Sequence, residues 1–426
     1  YLCCFVKVHG CGCSKDGDCR KTSGGHLLRT IYNNPLRKVT STQHEIEGIF
    51  LTMLFDYNFK RYNFRILIYV ILLSGIGVMA IWSATNQDRS MIAKQIFGII
   101  LGLILAICLS LVDYTRLLSL HVLIYGACVV FLAAVLLMGR TAGGATRWLI
   151  LPVIGAIQPA EFVKIGLILF FSWYFQRYQE KINQPITLAV GAALFALPAF
   201  MILEQPNLST TLVTTVIIAS VVFCSGVSYK WILGVLAVLF PLGAVFVYML
   251  QYEMIPFLRG YQATRILAWI NPKEYSAAYW QQENSIMAIG SGQLWGKGLN
   301  NTEIASVKNG NFLSEEQTDF IFAIIGEEMG FVGAMIVIAL FLLLVYECLM
   351  MAYRAKDLSG RLICTGMATL LAFQSFANIA VATAIFPNTG LPLPFVSYGV
   401  SSLLSLYIGI GVVLNVGLQR RYSNEW

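Results

Sequence analysis

Long apolar runs separated by short polar segments set the pattern of this 426-residue chain. A helix that spans the hydrocarbon core of a membrane needs about 20 predominantly apolar residues. The pattern predicts about ten such helices, near residues 64–84, 92–112, 119–138, 160–176, 186–203, 208–226, 231–250, 320–348, 362–385 and 398–418. Helices are expected because every backbone polar group within lipid must be hydrogen-bonded inside its own segment. The predicted fold class is an all-α integral membrane protein, a polytopic bundle of about ten transmembrane helices.

One long polar segment, residues 251–319, interrupts this pattern. Its tryptophans and tyrosines reach a density typical of a membrane interface or of a small packed subdomain. The glycines in Gly290-Ser291-Gly292 and Gly296-Lys297-Gly298 favour tight turns or close backbone approaches. Long ordered loops tend to be functional. We therefore expect this large loop to carry part of any site.

Composition and charge agree with a membrane location. Charged residues make up 12% of the chain and hydrophobic residues 57%, whereas soluble domains carry about 25% charged residues. The net charge of +7 indicates no nucleic-acid partner, because basic residues of membrane proteins concentrate in cytoplasmic loops. Those on one predicted side are Lys60, Arg61, Arg65, Arg116, Arg177, Lys181, Lys230, Arg354, Lys356, Arg361, Arg420 and Arg421. This bias predicts cytoplasmic termini and an outward, extracytoplasmic 251–319 loop.

Residues 1–52 differ in character from the rest of the chain. Five of the ten cysteines crowd the first nineteen residues, with His9 and His26 nearby, and these residue types could bind a metal ion. The segment shows neither apolar periodicity nor a signal-peptide pattern. We expect residues 1–52 to be a disordered N-terminal extension or to lie upstream of the true start. The membrane domain is then expected to cover residues 53–422.

Asp319 lies at the junction of the outward loop and the next apolar run. As a helix cap, it would accept backbone N–H groups at the positive end of the helix. Such an environment lowers a carboxyl pKa, which makes a weak lone base but a good cation ligand. A catalytic Asp319 would therefore work with a divalent cation, Mg²⁺ or Mn²⁺, or with a nearby arginine. The residues alone leave the cap and the catalytic group equally open.

Other charged residues are candidates for a polar cavity. Glu161 and Lys164 stand three apart at the start of an apolar run, so they can pair on one helix face. Such a pair either fixes helix packing or forms the floor of the cavity. Arg147 suits an interfacial anchor or a phosphate ligand. Further candidate phosphate ligands in the loop are Arg259, Arg265 and Lys297.

Prolines and glycines break the chain between the last two apolar runs, at Pro387, Gly390, Pro392, Pro394 and Gly399. Irregular backbone at membrane depth is tolerated only where it is buried in protein or lines a cavity. The motifs of zinc metalloproteases, serine hydrolases and nucleotide-driven pumps do not occur in the sequence. These observations indicate a cavity near the outer face and leave its chemistry open.

Several separated blocks of the sequence together resemble the SEDS family, the shape, elongation, division and sporulation proteins with RodA, FtsW and SpoVE branches. The blocks are Arg147-Trp148, Gln158 to Lys164, Gln205 to Leu208, Ala288 to Gly298, Thr318 to Phe322 with Glu327-Glu328, and Gly390 to Gly399. One block alone is a weak signal. In this order, and over about Met53 to Tyr422, the set is highly specific.

The resemblance implies a peptidoglycan glycosyltransferase that polymerises lipid II, a disaccharide-peptide on an undecaprenyl pyrophosphate carrier. The reaction would take place at the outer face of a bacterial cytoplasmic membrane. The essential aspartate of the family matches Asp319, which favours the catalytic role and the cation site. Residues expected in the substrate cavity are Arg147, Glu161, Lys164, Arg265, Lys297 and Ser397. Besides lipid II and membrane lipids, the implied partner is a class B penicillin-binding protein, a transpeptidase.

The chain departs from the family pattern in places that affect cavity details and leave Asp319 unchanged. Asn207 and Ser209 stand where the family commonly has aspartate and glycine, Ser314 to Gln317 lacks the usual Pro-Glu, and Val400 replaces a second glycine. The loop from Asn284 to Asn311 leans towards the RodA-like elongation branch. The alternatives are a lipid II flippase or other precursor transporter, which the absence of a convincing internal repeat disfavours, and a membrane scaffold.

Overall fold

The computed structural model describes residues 62–85, 87–142, 145–151, 155–251, 260–300 and 316–419. The predictions for residues 1–52, for Arg259 and for the C-terminal residues 420–426 lie outside this part of the chain. The described helices are α1 (Phe64–Ala84), α2 (Arg89–Leu111), α3 (Tyr114–Ser119), α4 (His121–Met138), α5 (Pro159–Arg177), α6 (Pro185–Glu204), α7 (Leu208–Cys224), α8 (Tyr229–Gln251), α9 (Gly260–Ile270), α10 (Ser276–Ser291), α11 (Ile321–Tyr353), α12 (Leu358–Ala382) and α13 (Val400–Leu418). A 3₁₀ turn, Gln179–Lys181, follows α5.

The polytopic all-α fold is confirmed. By length and composition, seven of the described helices can cross a membrane, namely α1, α2, α4, α6, α11, α12 and α13. The other three predicted spans also form helices. In α5, Glu161, Lys164 and Arg177 lower the mean hydropathy, whereas α7 has only 17 residues. In α8 the apolar stretch is the part Tyr229–Gly243.

A small antiparallel sheet, which the sequence did not predict, fills the connection between α4 and α5. Its strands β1 (Arg140–Ala142), β2 (Ala145–Leu151) and β3 (Gly155–Ile157) lie in the order β1-β2-β3. Leu149 pairs with Ile157 in its register. The strands are too short and too mixed in composition to give a clear alternating pattern. The sheet places Arg147 on its central strand.

The last two helices form the centre of the bundle. The most apolar stretch of α13 is 83% buried and that of α12 is 72% buried, against 22% for α2. On α13, the hydroxyl of Tyr407 forms a buried hydrogen bond of 2.9 Å with the hydroxyl of Ser74 on α1. Polar residues of α12 and the segment between α12 and α13 are therefore surrounded by protein rather than by lipid.

One end of the bundle, which we call the basic end, gathers the connections that are rich in arginine and lysine. Tyr114 donates its backbone N–H to Oδ1 of Asn415 (2.9 Å) and its hydroxyl to Oδ1 of Asp357 (2.7 Å). Nδ2 of Asn415 in turn donates to the carbonyl of Ser110 (2.8 Å). The basic residues next to these contacts along the chain are Arg116, Arg354, Lys356 and Arg361. The start of α11 lies at the opposite end, which we call the site end.

Helix α11 is interrupted near the site end. Gly330 has φ 65° and ψ −165°, outside the helical region. The segment Gln293–Gly298, which we call the clasp, lies against this break. The N–H groups of Lys297 and Gly298 donate to the carbonyls of Glu327 (2.9 Å) and Glu328 (3.0 Å). In the other direction, the N–H groups of α11 residues 331 and 332 donate to the carbonyls of clasp residues 293 (2.8 Å) and 294 (3.2 Å). The clasp thus supplies hydrogen bonds to backbone groups that the break in α11 leaves without a partner in the helix.

We expect the substitution Gly330→Ala to destabilise the protein by about 1–3 kcal/mol, because a Cβ would be held in a strained backbone conformation. That Cβ would also lie 2.7 Å from the carbonyl oxygen of Leu294. Thermal unfolding in detergent measures the effect. Gly75→Ala in α1 is the matched control, since no atom lies within 4 Å of a Cβ built there. Equal unfolding temperatures for the two variants would contradict the proposed strain.

Candidate functional site

Asp319 lies in the turn that leads into α11. The helix begins at Ile321, and Phe320 occupies the N-cap position without a side-chain hydrogen bond. The aspartate is therefore one residue before the N-cap position. Its side chain is half-buried, and it lies close to the positive end of the helix dipole, where a carboxylate is favoured.

Arg265 and Asp319 meet at Gly390. A Cβ built on Gly390 would lie 3.2 Å from Oδ2 of Asp319 and 3.3 Å from Nη1 of Arg265. The same Nη1 atom donates a hydrogen bond of 3.4 Å to the carbonyl of Asn388. A carboxylate and a guanidinium are therefore brought together by three segments that are far apart in sequence. These are α9, the turn before α11 and residues 388–390. A predicted acid and a predicted phosphate ligand thus converge at the site end.

The irregular segment between α12 and α13 is held against the turn of Asp319 by side chains. Nδ2 of Asn378 donates to the carbonyls of Asp319 (2.8 Å) and Leu391 (2.7 Å). The hydroxyl of Ser397 donates to the carbonyl of Thr318 (2.5 Å). Ser397, predicted to line the substrate cavity, thus binds the backbone beside Asp319 and helps to fix its position.

Glu161 and Lys164 form the buried ion pair that their spacing predicts. The Nζ–Oε1 distance is 3.0 Å, and both side chains are almost fully buried. Nζ of Lys164 also donates to Oε1 of Gln374 (3.0 Å), and Nε2 of Gln374 donates to the carbonyl of Pro392 (2.9 Å). A charged group on α5 is thereby connected through α12 to the segment that carries Gly390. These contacts fit the packing role left open by the sequence, and the role in a cavity floor stays a prediction.

Arg147 supports a different part of the site end. From β2, its guanidinium donates to the carbonyls of Gln205 (Nε–O 3.4 Å) and Pro206, which lie in the turn between α6 and α7. Asn207, which stands where the family commonly has aspartate, caps α7 by accepting from the N–H of Thr210 (3.3 Å). The predicted role of Arg147 as a phosphate ligand stays a prediction, because its described contacts are with the backbone.

Lys297 lies apart from the Asp319–Arg265 pair. Its Nζ is 2.8 Å from Oε1 of Glu327, whose side chain is 1% exposed. The neighbouring Glu328 accepts a hydrogen bond from the hydroxyl of Ser83 on α1. Lys297, a predicted phosphate ligand, is thus placed on a buried carboxylate of α11 rather than beside Arg265.

The site fits a divalent cation only together with a phosphorylated substrate. Among the residues that the structure describes, no group of three or more His, Cys, Asp or Glu side chains could hold a metal ion. The predicted cation ligand Asp319 offers one carboxylate. Because Mg²⁺ keeps several waters and is commonly bound by one or two carboxylates and by substrate phosphates, that single carboxylate is compatible with such a site.

Three supporting amides were missed by the sequence reading, namely Gln95, Gln374 and Asn378. Each lies within a predicted apolar span. Nε2 of Gln95 donates to the carbonyl of Ser397 (3.2 Å), and its Oε1 accepts from the N–H of Gly399 (3.3 Å). Amide side chains inside apolar spans were the available signal, because polar groups in lipid are costly without partners.

Comparisons with known proteins agree on one family. The family model described as cell cycle protein, FtsW/RodA/SpoVE, matches residues 63–422. "Peptidoglycan glycosyltransferase MrdB" of Escherichia coli K12 is 33% identical over 354 residues, 82% of this chain and 91% of that protein. "Probable peptidoglycan glycosyltransferase FtsW" of Geobacter metallireducens is 31% identical over 374 residues, 85% and 96% of the two chains. One solved structure is a peptidoglycan synthase complex that is described as coordinating polymerization and crosslinking. A chain of that complex is 30% identical to this chain and superposes with a TM-score of 0.71, and the match covers 85% of this chain and 99% of that chain.

We expect Lys164→Met to destabilise the protein by about 3–5 kcal/mol, because it leaves the Glu161 carboxylate buried without its cation. The double variant Glu161→Gln, Lys164→Met should recover part of this loss, since it removes both charges. Thermal unfolding of Lys164→Met, of Glu161→Gln and of the double variant in detergent measures the coupling. Strictly additive destabilisation would contradict a direct interaction between the two side chains.

Proposed function

The chain belongs to the FtsW/RodA/SpoVE family, and we propose that it is a peptidoglycan glycosyltransferase that polymerises lipid II into glycan strands. The observation that carries the proposal is the meeting of Asp319 and Arg265 at Gly390. Transfer of a sugar from a pyrophosphate carrier needs a base for the acceptor hydroxyl and positive charge for the leaving group. The site end provides one group of each kind side by side.

In the proposed reaction, Oδ2 of Asp319 takes the proton of the 4-hydroxyl of the acceptor sugar. The oxygen of that hydroxyl attacks the anomeric carbon of the growing chain and forms the new glycosidic bond. The bond between the anomeric carbon and the phosphate oxygen breaks, and undecaprenyl pyrophosphate leaves with the electron pair. Arg265 binds the departing pyrophosphate, for which a planar guanidinium is suited.

We include Mg²⁺ or Mn²⁺ in the proposal. Asp319 and the pyrophosphate of the substrate would hold the ion jointly, since the protein offers one carboxylate there. When bound, a divalent cation neutralises charge that develops on the pyrophosphate. Asp319 is half-buried and close to the N-terminus of α11, a position where carboxylates are favoured.

The two ends of the bundle differ in their content of basic residues, and this difference supports the membrane orientation expected from the sequence. The basic connections gather at the end formed by Tyr114, Asp357 and Asn415, and Asp319 lies at the opposite end of α11. Basic loops are typically cytoplasmic. We therefore propose that the active site faces outward from a bacterial cytoplasmic membrane and that both termini are cytoplasmic.

We propose a class B penicillin-binding protein as the partner, acting in cell elongation or division. The matched synthase complex couples polymerization with crosslinking, and relatives named FtsW and MrdB match at similar identity. The 251–319 segment contains α9, α10 and the clasp, and it exposes Trp280 on α10 (49%) and Trp295 in the clasp (75%). Exposed tryptophans are common in protein interfaces, so α10 and the clasp are suitable for contact with such a partner.

A lipid II flippase is the second candidate, and the interruption of α11 is the observation that favours it. Discontinuous helices often form the binding sites of transporters. Here, however, the clasp occupies the break with backbone hydrogen bonds. The break therefore offers fewer open backbone groups to a passing substrate than a transport site requires, and glycosyl transfer is the better supported function.

Asp319→Asn should lower the polymerisation rate of purified lipid II by at least about 100-fold, because it removes the general base. The assay contains the penicillin-binding partner and measures glycan length. Glu204→Gln is the matched control, since it neutralises an exposed carboxylate at the C-terminal end of α6. Near-normal polymer formation by Asp319→Asn would contradict the assignment. Unchanged lipid II scrambling in empty liposomes by the same variant would favour the flippase.

Removal of divalent cations with a chelator should suppress polymerisation by the wild-type protein, and added Mg²⁺ or Mn²⁺ should restore it. The reason is that pyrophosphate departure would lose its main counter-charge. Restoration should fail in Asp319→Asn, which lacks the proposed protein ligand. Full activity in the presence of the chelator would contradict a required cation.

A further inference from the structure

The interruption of α11 separates its first part, a short helical segment that starts beside Asp319, from the rest of the helix. We call residues 321–329 the half-helix; it ends at Gly330, where the backbone leaves the helical region. At 1.5 Å per residue, Ile321 and Glu327 are about 9 Å apart along the axis. A small tilt of the half-helix would therefore move the Asp319 carboxylate relative to Arg265.

The end of the half-helix near Gly330 carries two carboxylates where a helix dipole is negative. The side chains of Glu327 and Glu328 are 1% and 4% exposed. A buried carboxylate is unfavourable at the negative end of a helix unless it is paired. Lys297 supplies the cation that compensates Glu327, at 2.8 Å, and it comes from the clasp rather than from α11 itself.

The clasp binds the same end of the half-helix through its backbone. Its N–H groups at positions 297 and 298 donate to carbonyls of the half-helix, at 2.9 and 3.0 Å. Gly296 has φ 80°, and a Cβ there would overlap the Glu328 carbonyl and lie 2.6 Å from the N atom of Gly330. The close approach therefore requires glycine. The ion pair adds a side-chain contact to this backbone contact.

Helix α10, which precedes the clasp, is joined to the other half of the site. Nε2 of Gln282 donates to the carbonyls of Val381 (3.1 Å) and Phe386 (2.9 Å), and the hydroxyl of Ser285 donates to the carbonyl of Ala382 (2.7 Å). Nδ2 of Asn388, whose carbonyl accepts from Arg265, donates to Oε1 of the neighbouring Gln281 (3.2 Å). Through α10, the clasp holds the half-helix in register with the segment that carries Gly390.

We propose that Lys297 is a positioning residue, and that its ion pair with Glu327 sets the placement of Asp319 relative to Arg265 and Gly390. This inference rests on the proposed function of Asp319. Lys297 does not touch the reacting atoms; it acts through the half-helix. Its loss should therefore lower kcat more than it changes KM, because the substrate-binding groups stay while the base is displaced.

The test compares wild type with Lys297→Met, Lys297→Arg and the reciprocal exchange Lys297→Glu, Glu327→Lys, each with the penicillin-binding partner and purified lipid II. We expect Lys297→Met to lower kcat at least tenfold with KM within about twofold. Lys297→Arg should keep at least half of kcat, since it keeps the charge. The reciprocal exchange should recover part of the loss, which a general loss of stability would not do.

Hydrogen exchange provides a readout without substrate. In Lys297→Met, amides of residues 293–298 and 321–332 should exchange faster than in wild type, while those of α13 stay unchanged. Lys273→Met is the matched control, because Lys273 is exposed in the turn between α9 and α10; its kcat and exchange should equal those of wild type.

Wild-type kcat, or unchanged exchange, in Lys297→Met overturns the positioning role. Absence of polymer from the wild-type protein would instead refute the proposed function, and the exchange result would still decide whether Lys297 holds the half-helix.

Discussion

The structure depends on one constraint, namely that backbone which leaves the helical conformation at membrane depth must find hydrogen bonds within the protein. Among the described residues of the site end, the helical conformation is interrupted at two places, at Gly330 in α11 and between α12 and α13. At the first break, the clasp forms hydrogen bonds with the backbone. At the second, the side chains of Asn378, Gln374 and Gln95 donate to backbone carbonyls. Asp319 lies between the two irregular regions, so the groups that repair the backbone also define the site.

The buried charges follow the same logic. An ionised group within the bundle is costly unless it is paired and hydrogen-bonded. Lys164 is bound to both Glu161 and Gln374, and Lys297 is bound to Glu327. Both pairs lie away from the Asp319–Arg265 pair, yet each is connected to one of the segments that bring that pair together. Charges in this membrane protein thus support the site as well as form it.

The two halves of the site differ in how they are held. The Gly390 side rests on α12 and, through Gln374, on the ion pair of α5. The Asp319 side rests on the half-helix, whose end is bound by the clasp. Arg265 comes from a third region, α9, which lies in the 251–319 segment. A protein that binds α9 and α10 would therefore contact elements that carry or position the proposed base and the proposed phosphate ligand.

The sequence by itself determined the membrane class, the approximate helices and the position of Asp319 at a helix entrance, because hydropathy and chain breaks are properties of single segments. It also predicted the Glu161–Lys164 pair from spacing on one helix. Tertiary structure alone decided that Phe320 rather than Asp319 occupies the N-cap position, that Lys297 binds Glu327, and that Ser397 binds the Thr318 backbone. The Lys297–Glu327 and Ser397–Thr318 contacts join residues 30 and 79 positions apart, and only the packing of the helices brings such residues together.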